Sequence, residues 1–325
     1  MLKYLLFILA ISSVANAQEQ HKEWLTGVRD TSYNSQRDFR NNLKKYPFIK
    51  LVSEQQMPSV TEKRNLTYVN LGKRSLLIDA FIPKVKNKTA AILIIHGGGW
   101  RSGDRSQHIP LAQHLAAKGV ASFTVEYRLS TEALYPASVF DVKSAVRWLK
   151  ANAKKFNVDT NKIALLGFSS GGHLASLVGV TENVEKLEGD IGNIKYSSKV
   201  NAVIDIDGTL SFVHPASSEA QNINTNKNGA SAMWLGYAGN ERLDVWKEAS
   251  PFTYANENKV PFLFLNSSVE RMHAGRDDFK KLMDNKGIYT EIVSFKDSPH
   301  SFCLYQPWFD LTVNHITAFV EKVFK

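Results

Sequence analysis

The 325-residue chain has a single cysteine, Cys303, so no intramolecular disulfide can stabilise the fold. Beyond the amino terminus, no apolar run is long enough to cross a bilayer, which excludes a spanning helix there. A basic block is missing too. Lysines and arginines give a formal net charge of +9, but they are spread along the chain, which argues against a nucleic-acid-binding tail. Neither metal-ligand spacing nor a nucleotide-binding glycine pattern occurs, so the sequence implies no cofactor and no metal. It does not speak to oligomeric state.

What is present begins with "MLKYLLFILAISSVANAQEQ". Lys3, an apolar run from Tyr4 to Ile11, and Ala15-Asn16-Ala17 before Gln18 form the pattern of a secretory signal peptide cut after Ala17. The expectation is a secreted or periplasmic protein whose scattered basic charge is either a solvated surface or an attraction for an acidic substrate. Residues 18–60 are polar with isolated aromatics and read as an extension packed on the main domain, which spans 61–325.

In that domain strand and helix signals alternate. "NLTYVNL" and "SLLIDAF" read as an antiparallel pair. Further strands are expected at 90–95, 120–127, 162–167, 201–207, 260–266 and 289–295. "AAILII" (90–95) has the continuous apolar character of a strand buried on both faces. Val139, Val142, Val146 and Leu149 follow helical spacing, and helices are also expected at 169–180, 275–285 and 311–324. Together they predict an α/β three-layer sandwich, an eight-stranded, mostly parallel sheet with helices on both faces. A long insertion at 208–258, with the polar loop "QNINTNKNG" (221–229) inside it, is expected to be a lid or substrate-binding element.

Two stretches carry the chemistry. "IALLGFSSGGHLA" sets Gly167-Phe168-Ser169-Ser170-Gly171 between a strand and a helix. G-x-S-x-G is weak alone, but a sharp strand-to-helix turn needs flanking glycines to expose a serine. Ser170 would need a glycine at position 168, which is phenylalanine, so the frame selects Ser169 as the nucleophile. A serine hydroxyl needs a base. Of the nine histidines, His300 alone follows the final strand. His173 and His315 fall inside helices as structural residues, and His96 is placed to order a glycine turn. That turn is the second stretch, "IIHGGGWRSGD". Its Gly98 and Gly99 N–H groups, with that of Ser170, lie at the same sheet edge and can converge on an oxyanion.

"HGGGWRSGD", "EYRLSTEALYPASVFDVKSAVRWL" and "GFSSGGHLA" resemble, in order and spacing, the α/β-hydrolases. The likeness is to the esterase branch with an HGGG oxyanion motif, similar to bacterial carbohydrate (acetyl and feruloyl) esterases and lipolytic enzymes. It covers roughly residues 61–325. It implies an α/β-hydrolase fold, oxyanion donors at Gly98 and Gly99, and a triad acid shortly after the seventh strand. There the sequence departs from the family's aspartate: "FLNSSVERMHAGRDDF" offers Glu270. Glu270 is the expected acid, with Asp207 after the sixth strand as its rival and Asp277 and Asp297 as weaker candidates.

The leading expectation is an exported serine esterase that removes acetyl groups from plant polysaccharide such as pectin or xylan. The alternatives are a general carboxylesterase or feruloyl esterase, or a catalytically silent binding module. Arg271 and Arg276 stand near the site and could bind a uronate carboxylate, or sit in ion pairs with neighbouring acids. Phe302, Tyr305, Trp308 and Phe309 could serve as sugar-stacking platforms.

Overall fold

The apolar run at 90–95 alternates between two cores. Ala91, Leu93 and Ile95 join one hydrophobic cluster, while Ile92 and Ile94 join the other, as the two-residue period of a strand requires. The computed structural model describes residues 24–182, 184–217, 220 and 229–325. The expected signal peptide (1–17) and most of the polar loop (221–228) lie outside these residues.

In chain order the strands are β1 (Lys50–Leu51), β2 (Val60–Asn70), β3 (Ser75–Pro83), β4 (Thr89–Ile95) and β5 (Ala121–Val125). There follow β6 (Val158–Phe168), β7 (Ala202–Ile206), β8 (Phe262–Asn266), β9 (Thr290–Ser294) and β10 (Tyr305–Gln306). Eight of them form one sheet in the order β2-β3-β5-β4-β6-β7-β8-β9, and β1 pairs with β10 in a small second sheet. β2 with β3 and β3 with β5 are antiparallel; every pair from β5 to β9 is parallel.

Helices cover both faces. α2 (Ile109–Ala117) and α8 (Trp308–Val323) supply one cluster. α3 (Ala137–Ala151), α4 (Ser170–Val180) and α7 (Arg276–Asn285) supply the other. α1 (Ser35–Asn42) precedes the sheet, and the short α5 (Ala230–Leu235) and α6 (Leu243–Glu248) lie within 208–258.

The amino-terminal segment is fastened to the domain at several points. Trp24 and Ile49 are buried, Arg29 pairs with the buried Glu126, and Tyr46 meets Trp308 edge-on. The last helix begins at Trp308 rather than near Leu311. The aromatics ahead of it belong to the core: Phe302 and Tyr305 are 0% exposed, Phe309 1% and Trp308 8%. They therefore offer no stacking platform to a sugar, which corrects the sequence expectation.

Candidate active site

Ser169 sits where β6 passes into α4, at φ 55° and ψ −120°. A left-handed φ is rare for a residue with a side chain. Tight backbone contacts explain why its neighbours are glycines. A Cβ on Gly167 would lie 1.9 Å from the Gly171 carbonyl oxygen, and one on Gly171 2.2 Å from that of Ile95. The turn is pinned to the next strand by Ser169 N–H, which donates to Ile206 O at 2.8 Å.

His300, in the loop after β9, has its Nε2 at 2.9 Å from Ser169 Oγ. Its Nδ1 lies 2.9 Å from Asp207 Oδ2. Asp207 is fully buried and directly follows β7, with φ 51°. Its other oxygen, Oδ1, accepts from the Ser267 N–H at 2.8 Å and from Asn266 Nδ2 at 3.2 Å. These donors satisfy a carboxylate in its charged state. An ionised Asp207 accepts Nδ1–H, which leaves the Nε2 lone pair facing the serine hydroxyl.

Glu270 does not take this position. It is exposed and begins the 3-10 turn Glu270–His273. The chain after β8 turns inward with Asn266 and Ser267, donors suited to a carboxylate from elsewhere, and reaches solvent by residue 270. Asp277 is engaged with Arg276, and Asp297 is exposed. The sequence expectation of Glu270 is thus corrected to Asp207.

The glycine turn lies at the same edge of the sheet. Gly98 has φ 129° and Gly99 φ 62°. A Cβ on Gly98 would lie 2.0 Å from Ser102 O, so glycine is required there on both conformational and steric grounds. Gly99 and Ser170 share with Ser169 and His300 the wall of a cavity of about 140 Å³, lined also by Trp100, Ala230 and Met272. Two buried side chains hold the turn from behind. Gln107 Oε1 accepts from Gly97 N–H at 2.8 Å, and His96 Nδ1 donates to Gly97 O at 2.9 Å. His96 also stacks on Tyr127 at 4.4 Å, and burial pushes its pKa down to about 4, so it stays neutral. Gln107 had no signal in the sequence beyond its nearness to the motif.

His173 is a core residue. Its Nε2–H donates to Ala249 O at 2.8 Å, and Nδ1 accepts from Trp100 Nε1 at 3.2 Å. Burial lowers its pKa to about 4. The two arginines part company. Arg276 donates to Asn266 Oδ1 at 2.9 Å and pairs with Asp277, so it steadies a residue that itself contacts Asp207. Arg271 is exposed on the cavity wall and has no hydrogen-bond or ion-pair partner among the described residues. Within those residues no group of three or more His, Cys, Asp or Glu is placed to hold a metal ion, and no helix is long and apolar enough to cross a membrane.

Known proteins resemble this chain in sequence and in fold. The BD-FAE family profile matches residues 78–272, a span that holds Ser169, Asp207 and the glycine turn and stops short of His300. Esterase LipC of Mycobacterium tuberculosis is 30% identical over 195 residues, 59% of this chain and 47% of that protein. The probable carboxylic ester hydrolase LipM of the same organism is 29% identical over 218 residues, 63% of this chain and 48% of that one. The chain thus spans about half the length of these curated relatives. Among solved structures, a truncated carbohydrate esterase from gut microbiota superposes with a TM-score of 0.70 at 27% identity. That match covers 85% of this chain and all of the other. A bifunctional GH43-CE protein of Bacteroides eggerthii gives 0.71 at 25% identity, covering 83% of this chain and 39% of that one.

Proposed function

Because the chain belongs to the BD-FAE family of α/β-hydrolases, we propose that it is an exported serine esterase removing acetyl groups from plant polysaccharide. The observation that carries this reading is the unbroken Ser169–His300–Asp207 chain of hydrogen bonds at the wall of a small cavity. In the proposed reaction Ser169 Oγ attacks the ester carbonyl as His300 Nε2 takes its proton. Asp207 holds the imidazole by Nδ1–H and stabilises the imidazolium that forms. The Gly98, Gly99 and Ser170 N–H groups receive the oxyanion. Collapse of the intermediate releases the sugar alcohol, which takes the proton from His300. Water, activated by the same histidine, then frees the acid from the serine.

The cavity of about 140 Å³, bounded by Trp100 and Ala230, suits a short acyl group. Arg271 on its wall, without a partner among the described residues, and the net charge of +9 over the full chain support an acidic polymer such as pectin, since a guanidinium binds carboxylates in a bidentate fork. The test is acetate release from acetylated pectin, acetylated xylan and a neutral aryl acetate over a range of salt. Steering of a charged polymer weakens as salt screens it, so the rate on pectin should fall more steeply than that on the aryl ester. Arg271→Ala should reduce the pectin rate more than the others. Equal salt dependence and equal losses would remove the acidic polymer and leave a general carboxylesterase.

A further inference from the structure

The turn that follows His300 is hydrogen-bonded to the amino-terminal segment. The residue after His300, Ser301, is 2% exposed, and its Oγ–H donates to Asp38 Oδ2, a carboxylate carried by α1. The Tyr305 hydroxyl donates to the same oxygen, and Asn42 Nδ2 adds a third bond at 3.2 Å. One oxygen of α1 therefore gathers donors from both ends of the 301–305 turn. Just beyond, Val52 N–H donates to Leu304 O at 3.1 Å, and Leu51 pairs with Tyr305 across the β1–β10 sheet. From the loop after β8, Ser268 Oγ donates to Ser298 O at 2.8 Å. The loop bearing His300 is gripped at two points, and one grip comes from outside the β2–β9 sheet.

We infer that the amino-terminal segment is part of the catalytic apparatus, with Asp38 a positioning residue that fixes His300 through Ser301 and Tyr305. Packing alone needs no charged group here. A carboxylate receiving three donors makes short, directional bonds, and a histidine that must meet Ser169 at one nitrogen and Asp207 at the other tolerates little drift. Burial first, and the Asp38 charge next, push the Tyr305 pKa upward, so its phenol stays protonated and donates at working pH.

This inference rests on the proposed triad, and the experiment separates the two. kcat and KM are measured on an aryl acetate for wild type, Asp38→Ala, Asp38→Asn, Ser301→Ala and Tyr305→Phe, with melting temperatures alongside. Displacing a reacting group by about 1 Å can cost on the order of 100-fold. Asp38→Ala is expected to lower kcat roughly 10- to 100-fold with KM little changed. Asp38→Asn, which keeps an acceptor oxygen, should recover much of the loss. Should Asp38→Ala fail to fold, Ser301→Ala must still lower kcat in a folded enzyme. Wild-type kcat in the folded Asp38→Ala and Ser301→Ala proteins, with only the melting temperature reduced, overturns the inference. An inert wild type overturns the esterase reading itself.

Discussion

At the scale of single residues, the arrangement turns on Asp207. Its left-handed backbone, φ 51°, bends the chain at the end of β7 so that the carboxylate points along the sheet edge toward His300. The cost of that conformation, of order 1–3 kcal/mol, is offset by the Ser267 and Asn266 bonds and by the imidazole. An amide at this position offers the wrong hydrogen-bonding pattern for Nδ1–H and holds the ring in the wrong tautomer. In a well-studied serine protease the equivalent change lowers kcat about 10⁴-fold. Asp207→Asn is accordingly expected to fall by several orders of magnitude in kcat, whereas Glu270→Gln, altered at an exposed turn, should stay near wild type. Steady-state kinetics on an aryl acetate decide it, and the reverse pattern would return the acid to residue 270.

At the scale of elements, the sheet was legible because its strands are strongly patterned. The antiparallel pair at 61–83 and the parallel run from 89 to 294 appear where β-branched and apolar residues cluster between turn signals. Ser169 and His300 were legible for a related reason: each occupies a strand-to-loop junction, one framed by glycines and the other unique among the histidines. The bounds of the helix Ile109–Ala117 were not legible. Six of its nine residues are buried, so it lacks the polar face that makes a 3.6-residue period visible. The acid escaped for a different reason. The family resemblance placed a carboxylate after β8, but which loop turns inward is decided by tertiary contacts at Asn266 and Ser267, and no local pattern encodes them. Likewise nothing in "SQRDFRNN" announces that Asp38 will meet Ser301, more than 250 positions away in the chain.

At the scale of the whole molecule, buried titratable groups set the response to acid. Burial holds His96 and His173 at about 4 and His108 at about 3, below the ordinary value of about 6.5. Between those limits the unfolded chain binds protons at these positions and the native protein does not, so stability rises with pH. Asp205 works the other way. Burial raises its carboxyl to about 7, against bonds from Ser176 and Gly208 that favour the charge. The native protein therefore keeps a proton there that the unfolded chain releases near its ordinary value, and stability falls as pH rises toward 7. Three groups outweigh one. The urea midpoint is expected to climb from about pH 4 to about 6.5, and His108→Phe should make that climb shallower. A midpoint that is flat or falling over this window contradicts the assignment of neutral buried histidines.

In the proposed reaction Ser169, activated by His300, becomes covalently acylated. This step is tested most directly by treating the protein with an organophosphorus ester and locating the adduct by peptide mass spectrometry. A single phosphorylated site at Ser169 is expected, formed in wild type and strongly slowed in His300→Ala. Modification of Ser170 instead, or no adduct in a folded wild-type protein, would contradict it.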